Sequence, residues 1–393
     1  MPGSQPPLFG VKVIDLSEQV PGPNTTRLLT GLGADVLKIE RPDEGDRLRH
    51  RPAMFEAENR GKRSLAIDLK NAEGRATLLR MVADADVFVE GYRPGVTDRL
   101  GIGFKDLIAV NPRLVYVSIS GYGASGPYRD LPGHDFQYLS FVGAIPAPLP
   151  EHAANYVPTT LPVADLGTSL YASLAIVLAL HERRGNPESF VGKQIDVAMA
   201  DCALSMMEPR IAEAMHEESS AAALVRPGYG VYGTKDGRYV TIGALEDHFW
   251  ARLAKAVDLP ELLGPEYATF PLRKQHIAEI EATLRPRIQE FERDGLIELL
   301  IRHDVPVAPL NDLHEPLADK HFIDRGMIIR NEGAPHTRVS EWPAALADFA
   351  DRSLLTAAPA VGEHSIEILR EAGFSADEID ELIRAGTVVA QTS

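Results

Sequence analysis

Three ionisable side chains stand at the mouths of apolar helical runs: His134 in "PGHDFQY", Asp165 in "LPVADLGTSLY" and Glu246 in "IGALEDHFW". An imidazole exchanges a proton near neutral pH, and a carboxylate beside it holds one tautomer. A carboxylate at the start of a buried helix is partly desolvated, which moves its pKa toward neutrality. Such a set suits proton transfer at a carbon next to a carbonyl. The Asp165 carboxylate would equally suit attack on an acyl carbonyl. Each residue has a structural reading as well. Asp165 is a good N-cap for a helix opening at residue 166. Glu246 suits the dipole of a first turn. Asp135 caps the run it opens and leaves His134 a surface loop residue. Chemistry requires the three to meet in space, and spacing alone does not decide that.

Other constellations are weaker. There is no H-E-x-x-H, and the 12 histidines are scattered, so no metal is assigned. There is no G-x-S-x-G elbow, and "GYGASGP" does not replace it. Cys202 sits in an apolar helical segment and reads as inert core. His248, two residues past Glu246, points elsewhere on a helix.

The elements that must position these residues follow from pattern. "VKVIDLS" (11–17), "ADVLKIE" (34–40), "SLAIDL" (64–69), "DVFVEGY" (86–92) and "LVYVSIS" (114–120) are short apolar runs bounded by turn residues. Helical spacing fills 22–33, 72–84 and 96–109 between them. This alternation predicts buried parallel strands in a doubly wound α/β sheet, whose ligands sit at the carboxyl ends of the strands. No G-x-G-x-x-G follows the first strand, which argues against a nicotinamide enzyme. The stretch 166–183 is apolar nearly all round and reads as interior. A helix over 198–218 carries Met199, Met206, Met207 and Met215, usual as core filler but also suited to an adaptable acyl pocket. "TKDGRYVTI" reads as a hairpin turning at Asp236-Gly237, and helices follow at 246–257, 273–288 and 294–303. "SADE" (375–378) fits a capping box. The predicted division is a first part of a large domain over 1–200, a helical linker over 201–224, a small domain over 225–325 and a return to the large domain over 326–393.

The chain has 393 residues and a formal net charge of −16, which argues against general nucleic-acid binding. Within it, Arg41, Arg47, Arg49, Arg51, Arg60, Lys62 and Arg63 crowd into a short basic span that reads as solvated surface or as an anion clamp. A single cysteine leaves no internal disulfide and fits a reducing cytoplasm. The opening "MPGSQPPLFGVKVIDL" shows no basic-then-apolar leader. No run is expected to span a bilayer.

The order of motifs resembles the family that joins family III coenzyme A transferases with α-methylacyl-CoA racemases. The segments that carry the resemblance are "GLGADVLKIERPDEGD", "NRGKRSLAIDLK", "VEGYRPGVTDRLGIGF", "SISGYGASGPY", "PGHDFQY", "GKQIDVAMADCAL", "KDGRYVTIGALEDHFW" and "GEHSIEILREAGFS". The resemblance implies a large Rossmann-like domain and a smaller α/β domain. It also implies a homodimer of two chains interlocked like links, with each active site between large and small domains of different subunits. The substrate it implies is an acyl-CoA thioester, with no cofactor beyond the CoA moiety. For CoA it points to Val20 and Pro21, Arg41, the segment from Ile67 to Lys70, and Arg93 and Arg99, where guanidinium groups would meet phosphates.

In the transferases the aspartate matching Asp165 attacks the thioester; in the racemases it is one of two acid/bases across the α-carbon. The second base there is the histidine of a G-H-D motif, helped by a glutamate in a segment like "ALEDHFW". His134, Asp165 and Glu246 match that set. By contrast, "DLGTSLY" and Leu161 depart from the glycine-rich run and the asparagine common in racemases, and read nearer to the transferases. The resemblance leans to a racemase of 2-methyl-branched acyl-CoA, with CoA transfer as the alternative. In that scheme His134 removes the α-proton, protonated Asp165 returns one, Glu246 orients His134, and backbone N–H groups at the Asp165 helix start stabilise the enolate.

Overall fold

The computed structural model describes residues 5–145, 160–216, 226–329, 338–340 and 342–391. Two compact units emerge, 1–211 with 341–393, and 212–340. The end of the expected linker, past residue 216, lies outside the described residues.

The first unit is built on a seven-stranded sheet. Its strands are β1 (Lys12–Leu16), β2 (Asp35–Glu40), β3 (Arg63–Ile67), β4 (Val87–Glu90), β5 (Val115–Ser120) and β6 (Lys193–Ala198). The seventh is a C-terminal edge strand, Val388–Val389, which runs antiparallel to β3 while all other pairs are parallel. The order across the sheet is edge strand, β3, β2, β1, β4, β5, β6. The direction of winding reverses between β1 and β4, so the ligand crevice of a doubly wound sheet falls at their carboxyl ends.

Period-two alternation fills both faces. Ile14, Leu16, Leu65, Phe88 and Tyr116 point to one side. Val13, Val36, Val87, Val89, Val115 and Val117 point to the other. Helices α1 (Pro21–Gly31), α2 (Pro52–Asn59), α3 (Ala72–Val82), α4 (Val96–Leu100), α5 (Phe104–Val110), α6 (Asp135–Phe141), α7 (Val163–Gly185) and α8 (Met199–Met206) surround this sheet. Two further helices, Ser365–Glu371 and Ala376–Arg384, return to it. The second carries the expected capping box: Ser375 Oγ accepts from Glu378 N–H, and the Glu378 carboxylate accepts from Ser375 N–H at 2.6 Å.

The second unit contains α9 (mostly; Glu208–His216), β7 (Tyr229–Gly233), β8 (Tyr239–Gly243), β9 (Val307–Pro309), α10 (Asp247–Ala256), α11 (Phe270–Gln275), α12 (Ile277–Ile288) and α13 (Arg293–Arg302). Strands β7 and β8 form the expected hairpin, with Gly237 at a φ of 74° in its turn. Tyr232, Val240, Ile242, Trp250, Leu253, Leu284 and Leu300 make its own core.

Four expectations are corrected. The helices expected over 96–109, 198–218 and 273–288 each break in two; Gly101, left-handed at φ 71°, makes the first break. The stretch read as interior is one-sided. Small residues on α7, among them Ala164, Gly167, Ala172 and Ala179, face inward onto α1, α8, β5 and β6. Leu170, Leu174 and Leu178 stay 54–61% exposed. Helix α7 is also long and apolar enough to cross a membrane by length and composition, contrary to the expectation that no run is, though 44% of its most apolar window is buried in the fold. The methionines do not all fill the core: Met206 is 38% and Met215 80% exposed.

Candidate active site

Helix α7 starts three residues earlier than expected, at Val163, because Pro162 is preset for a helix entry. Asp165 is therefore not the N-cap but the third residue of the first turn. Pro162 has no side-chain acceptor for the orphan N–H groups there. Asp135, the first residue of α6, takes that role. Its Oδ1 accepts from Ala164 N–H at 2.7 Å and from Asp165 N–H at 3.1 Å. The sequence reading had Asp135 capping its own helix, so its task across to α7 was missed. The signal was a proline at a helix mouth with no acceptor nearby in sequence.

This arrangement has two consequences. The Ala164 and Asp165 N–H groups are occupied by Asp135, and Leu166 N–H bonds Pro162 O, so these three are not the expected donors for an enolate oxygen. In exchange, the Asp165 carboxyl is released from capping. Among the described residues none donates a hydrogen bond to it. Burial, and then the negative charges of Asp135 and Glu58, push its pKa from the usual 3.8 up to about 7.

His134 is brought to the same place by its neighbour. It is the N-cap residue of α6, exposed, with extended backbone, and its N–H donates to Gln137 Oε1 at 3.1 Å. The imidazole thus sits one residue from the carboxylate that holds the Asp165 turn. Tyr138 of α6 backs this corner. Its ring packs edge-on to Tyr122 at 5.3 Å, and a Cβ on Gly121 would fall 2.5 Å from its hydroxyl, so glycine is needed there. Met206 lies over Gly167, where a Cβ would come 2.5 Å from its methyl. Helix α1 closes another side: Ser169 Oγ donates to both Asp165 O (3.0 Å) and Pro21 O (2.8 Å).

Glu246 lies in the second unit, at the N-cap of α10 rather than inside its first turn. Its side chain makes no capping bond and is exposed. It lines a cavity of about 410 Å³ with Arg226, Leu245, Asp247 and Phe270.

The residues expected to hold CoA cluster at the carboxyl ends of β1 to β4. Val20 and Pro21 open α1 after β1, next to Gln19, whose φ of 69° is rare for a residue with a side chain. Arg41 follows β2 but already engages Gly45 O at 3.0 Å and Glu18 at 3.4 Å. Ile67 is 1% exposed in the sheet core, so its side chain offers a ligand nothing. Lys70 is exposed just beyond it. Arg93 and Arg99 are exposed after β4, and among the described residues neither guanidinium makes an ion pair or hydrogen bond. Arg129, which the sequence reading passed over, joins Arg99 there: a Cβ on Gly95 would fall 3.4 Å from Arg99 Nη1 and 3.8 Å from Arg129 Nη2.

Most of the basic span is neither solvated surface nor a free clamp, although Arg47 and Arg51 stay exposed. Arg49 forks onto Glu40 at 2.6 and 2.7 Å, Arg63 pairs with Asp35, Glu367 and Glu371, and Lys62 is fully buried on Asp15 at 3.0 Å. Among the described residues no group of His, Cys, Asp and Glu is placed to hold a metal.

A parallel sheet wound in both directions, with a protonatable carboxyl and an imidazole at its carboxyl edge, defines an α/β enzyme scaffold. Residues 8–365 match the CoA-transferase family III, and the chain belongs to that family. It is 33% identical over 392 residues to the α-methylacyl-CoA racemase of Mus musculus, covering 95% of this chain and 96% of that one. It is 31% identical over 404 residues to the succinyl-CoA–L-malate CoA-transferase alpha subunit of Chloroflexus aurantiacus, covering 96% and 92%. Its fold is similar to that of a CAIB/BAIF family protein from Brucella suis, with a TM-score of 0.78 and 30% identity over 94% of this chain and 100% of that one. The family acts on CoA thioesters, as the sequence resemblance implied.

Proposed function

We propose that this chain moves the α-proton of an acyl-CoA thioester and inverts the carbon that carries it, with a 2-methyl-branched acyl group as substrate. The observation that carries this reading is the Asp165 carboxyl, released from capping and raised to about 7. Such a group is available as acid and as base at neutral pH. The thioester carbonyl acidifies the α-hydrogen. His134 takes that proton, and the C–H electron pair moves into the carbonyl to form the enolate. Protonated Asp165 then gives a proton to the opposite face, and the C–H bond re-forms as the carbonyl does. Glu246 keeps the supporting part that the family resemblance gives it, orienting or charge-balancing the imidazole base. Arg93 and Arg99 meet the CoA phosphates, while Arg41 would first have to leave Glu18. Val20, Pro21 and the Ile67–Lys70 segment line the remaining arm, and no group beyond CoA is required.

The Chloroflexus relative favours a second reading, CoA transfer with ionised Asp165 as nucleophile. Incubation in heavy water separates the two. The racemase washes deuterium into the α-position without an acceptor acid. A transferase needs a free carboxylic acid, leaves the α-hydrogen in place and is trapped by hydroxylamine at Asp165.

A homodimer belongs to the same proposal. Leu170, Leu174 and Leu178 recur every fourth residue on the outer face of α7, an apolar stripe of the kind that marks association. Sedimentation of the chain with Leu174→Glu against the wild type tests it: the expected result is loss of a dimer.

A further inference from the structure

A single buried cation holds the start of α10. Arg273, in α11, is 0% exposed. Its guanidinium reaches back to both chain neighbours of Glu246. Nη2 donates to Leu245 O at 2.6 Å and pairs with Asp247 Oδ1 at 2.8 Å. Nη1 donates to Tyr267 O at 3.1 Å. The rings of Trp250 and Phe270 lie beside it, at 5.2 and 5.9 Å. Its Nε has no partner among the described residues. A wholly buried charge with an unpaired donor is an expensive way to fill space that a hydrocarbon would fill well. Its geometry gives a reason for keeping it.

Glu246 contributes only its carbonyl to the helix, accepting from Trp250 N–H at 2.9 Å. Its carboxylate makes no capping bond. The residues before and after it are both held by Nη2 of the buried guanidinium, which restrains the backbone between them. The carboxylate is thereby presented at the cavity wall beside Arg226 and Phe270. Lysine, a point charge, cannot hold Leu245 O and Asp247 from one nitrogen while a second nitrogen anchors the group on Tyr267 O.

We infer that Arg273 is a positioning residue that acts through Glu246, by clamping Leu245 and Asp247 on either side of it. The inference rests on the supporting role proposed for Glu246. A double-mutant cycle tests it, with turnover read as α-deuterium uptake by a 2-methyl-branched acyl-CoA in heavy water or, where that is absent, as CoA transfer to a free carboxylic acid. Asp247→Asn loosens one grip at an exposed position and leaves the buried bonds intact. It is expected to lower kcat about 5- to 10-fold with KM nearly unchanged, because small misplacements of a reacting group cost rate rather than binding. In a Glu246→Gln background the same change is expected to do almost nothing. Arg273→Lys is expected to follow the same pattern more strongly, about 50-fold. Equal factors in both backgrounds, or an unchanged kcat for Asp247→Asn beside an impaired Glu246→Gln, overturn the clamp. Wild-type turnover in Glu246→Gln overturns the role of Glu246 and the inference with it. Arg273→Lys is compared only if its melting temperature stays near the wild type's; Asp247→Asn decides the matter otherwise.

Discussion

Asp15 and Asp165 are the same side chain in the same unit, both withdrawn from bulk water, and the protein drives them in opposite directions. Burial alone would raise both. Around Asp15 it is overcome: Lys62 and Lys38, with the hydroxyls of Ser17 and Thr26, hold that carboxyl well below the ordinary range. Lys62 carries its own penalty, burial pushing it down to about 8 against the pull of Asp15. Around Asp165 nothing answers the burial. Its near neighbours are Asp135 and Glu58, and both repel a second negative charge. The difference lies in partners, not in depth. A carboxylate with every lone pair met is a strut; one left short of donors is a reagent.

This contrast can be broken from either side. The largest effect is expected from Asp15→Ala, which leaves Lys62, at 0% exposure, without its ion pair, while Lys38 keeps Asp46 at 2.8 Å. We expect about 3–5 kcal/mol of lost stability, the span for one broken buried pair. Urea denaturation measures it. The sign of the pH dependence follows: the folded carboxyl lies below its unfolded value, so its stabilisation is present above about pH 4 and lost as the pH falls through that range.

Asp165→Asn should leave the fold intact and remove turnover by roughly 10³-fold, within the usual span for losing a general acid/base. Its stability should move the other way. A carboxyl raised to about 7 in the folded chain disfavours folding progressively from about pH 4 upward, and in full above pH 7. Asp165→Asn should therefore match the wild type near pH 4 and exceed it at pH 8, by about 2–4 kcal/mol. Calorimetry across that range checks both the sign and the window.

Catalysis offers a finer distinction. In the direction where Asp165 donates the proton, kcat/KM should fall as the pH rises through about 7; in the reverse direction it should rise. A nucleophilic Asp165 would rise with pH only.

The smallest change sharpens the comparison most. Asp135→Ala removes the cap of α7 and should cost about 1 kcal/mol. Asp135→Asn keeps an acceptor for the Ala164 and Asp165 N–H groups but removes the charge, so stability should hold while the limb of the rate profile set by Asp165 moves to lower pH in either direction. A profile that does not move would mean that burial and Glu58 raise Asp165 without help from Asp135.

Much of the scaffold was legible in the chain. The first five strands fell near their predicted ranges because continuous apolar runs with turn residues at both ends fit a sheet buried on both faces. The Asp236-Gly237 hairpin and the Ser375 capping box were read from local chemistry and involve local bonds. Strand β6 was missed because Lys193 and Asp196 interrupt its apolar pattern at the sheet's margin. The two-residue edge strand is too short to carry any pattern. The basic span was misread because the carboxylates that absorb it, such as Glu367 and Glu371, lie some three hundred positions away.

For the site, the sequence by itself determined which residue types were present: an imidazole and a carboxylate at two helix mouths, and a second carboxylate at a third. It could do so because side-chain chemistry and helix entry are local properties. Only the tertiary structure decided their states. Whether a carboxyl is proton-poor or half-protonated depends on charges and donors that folding brings from distant segments. That is why Asp135 came to cap a helix 28 residues beyond it, and why Asp165 was left free.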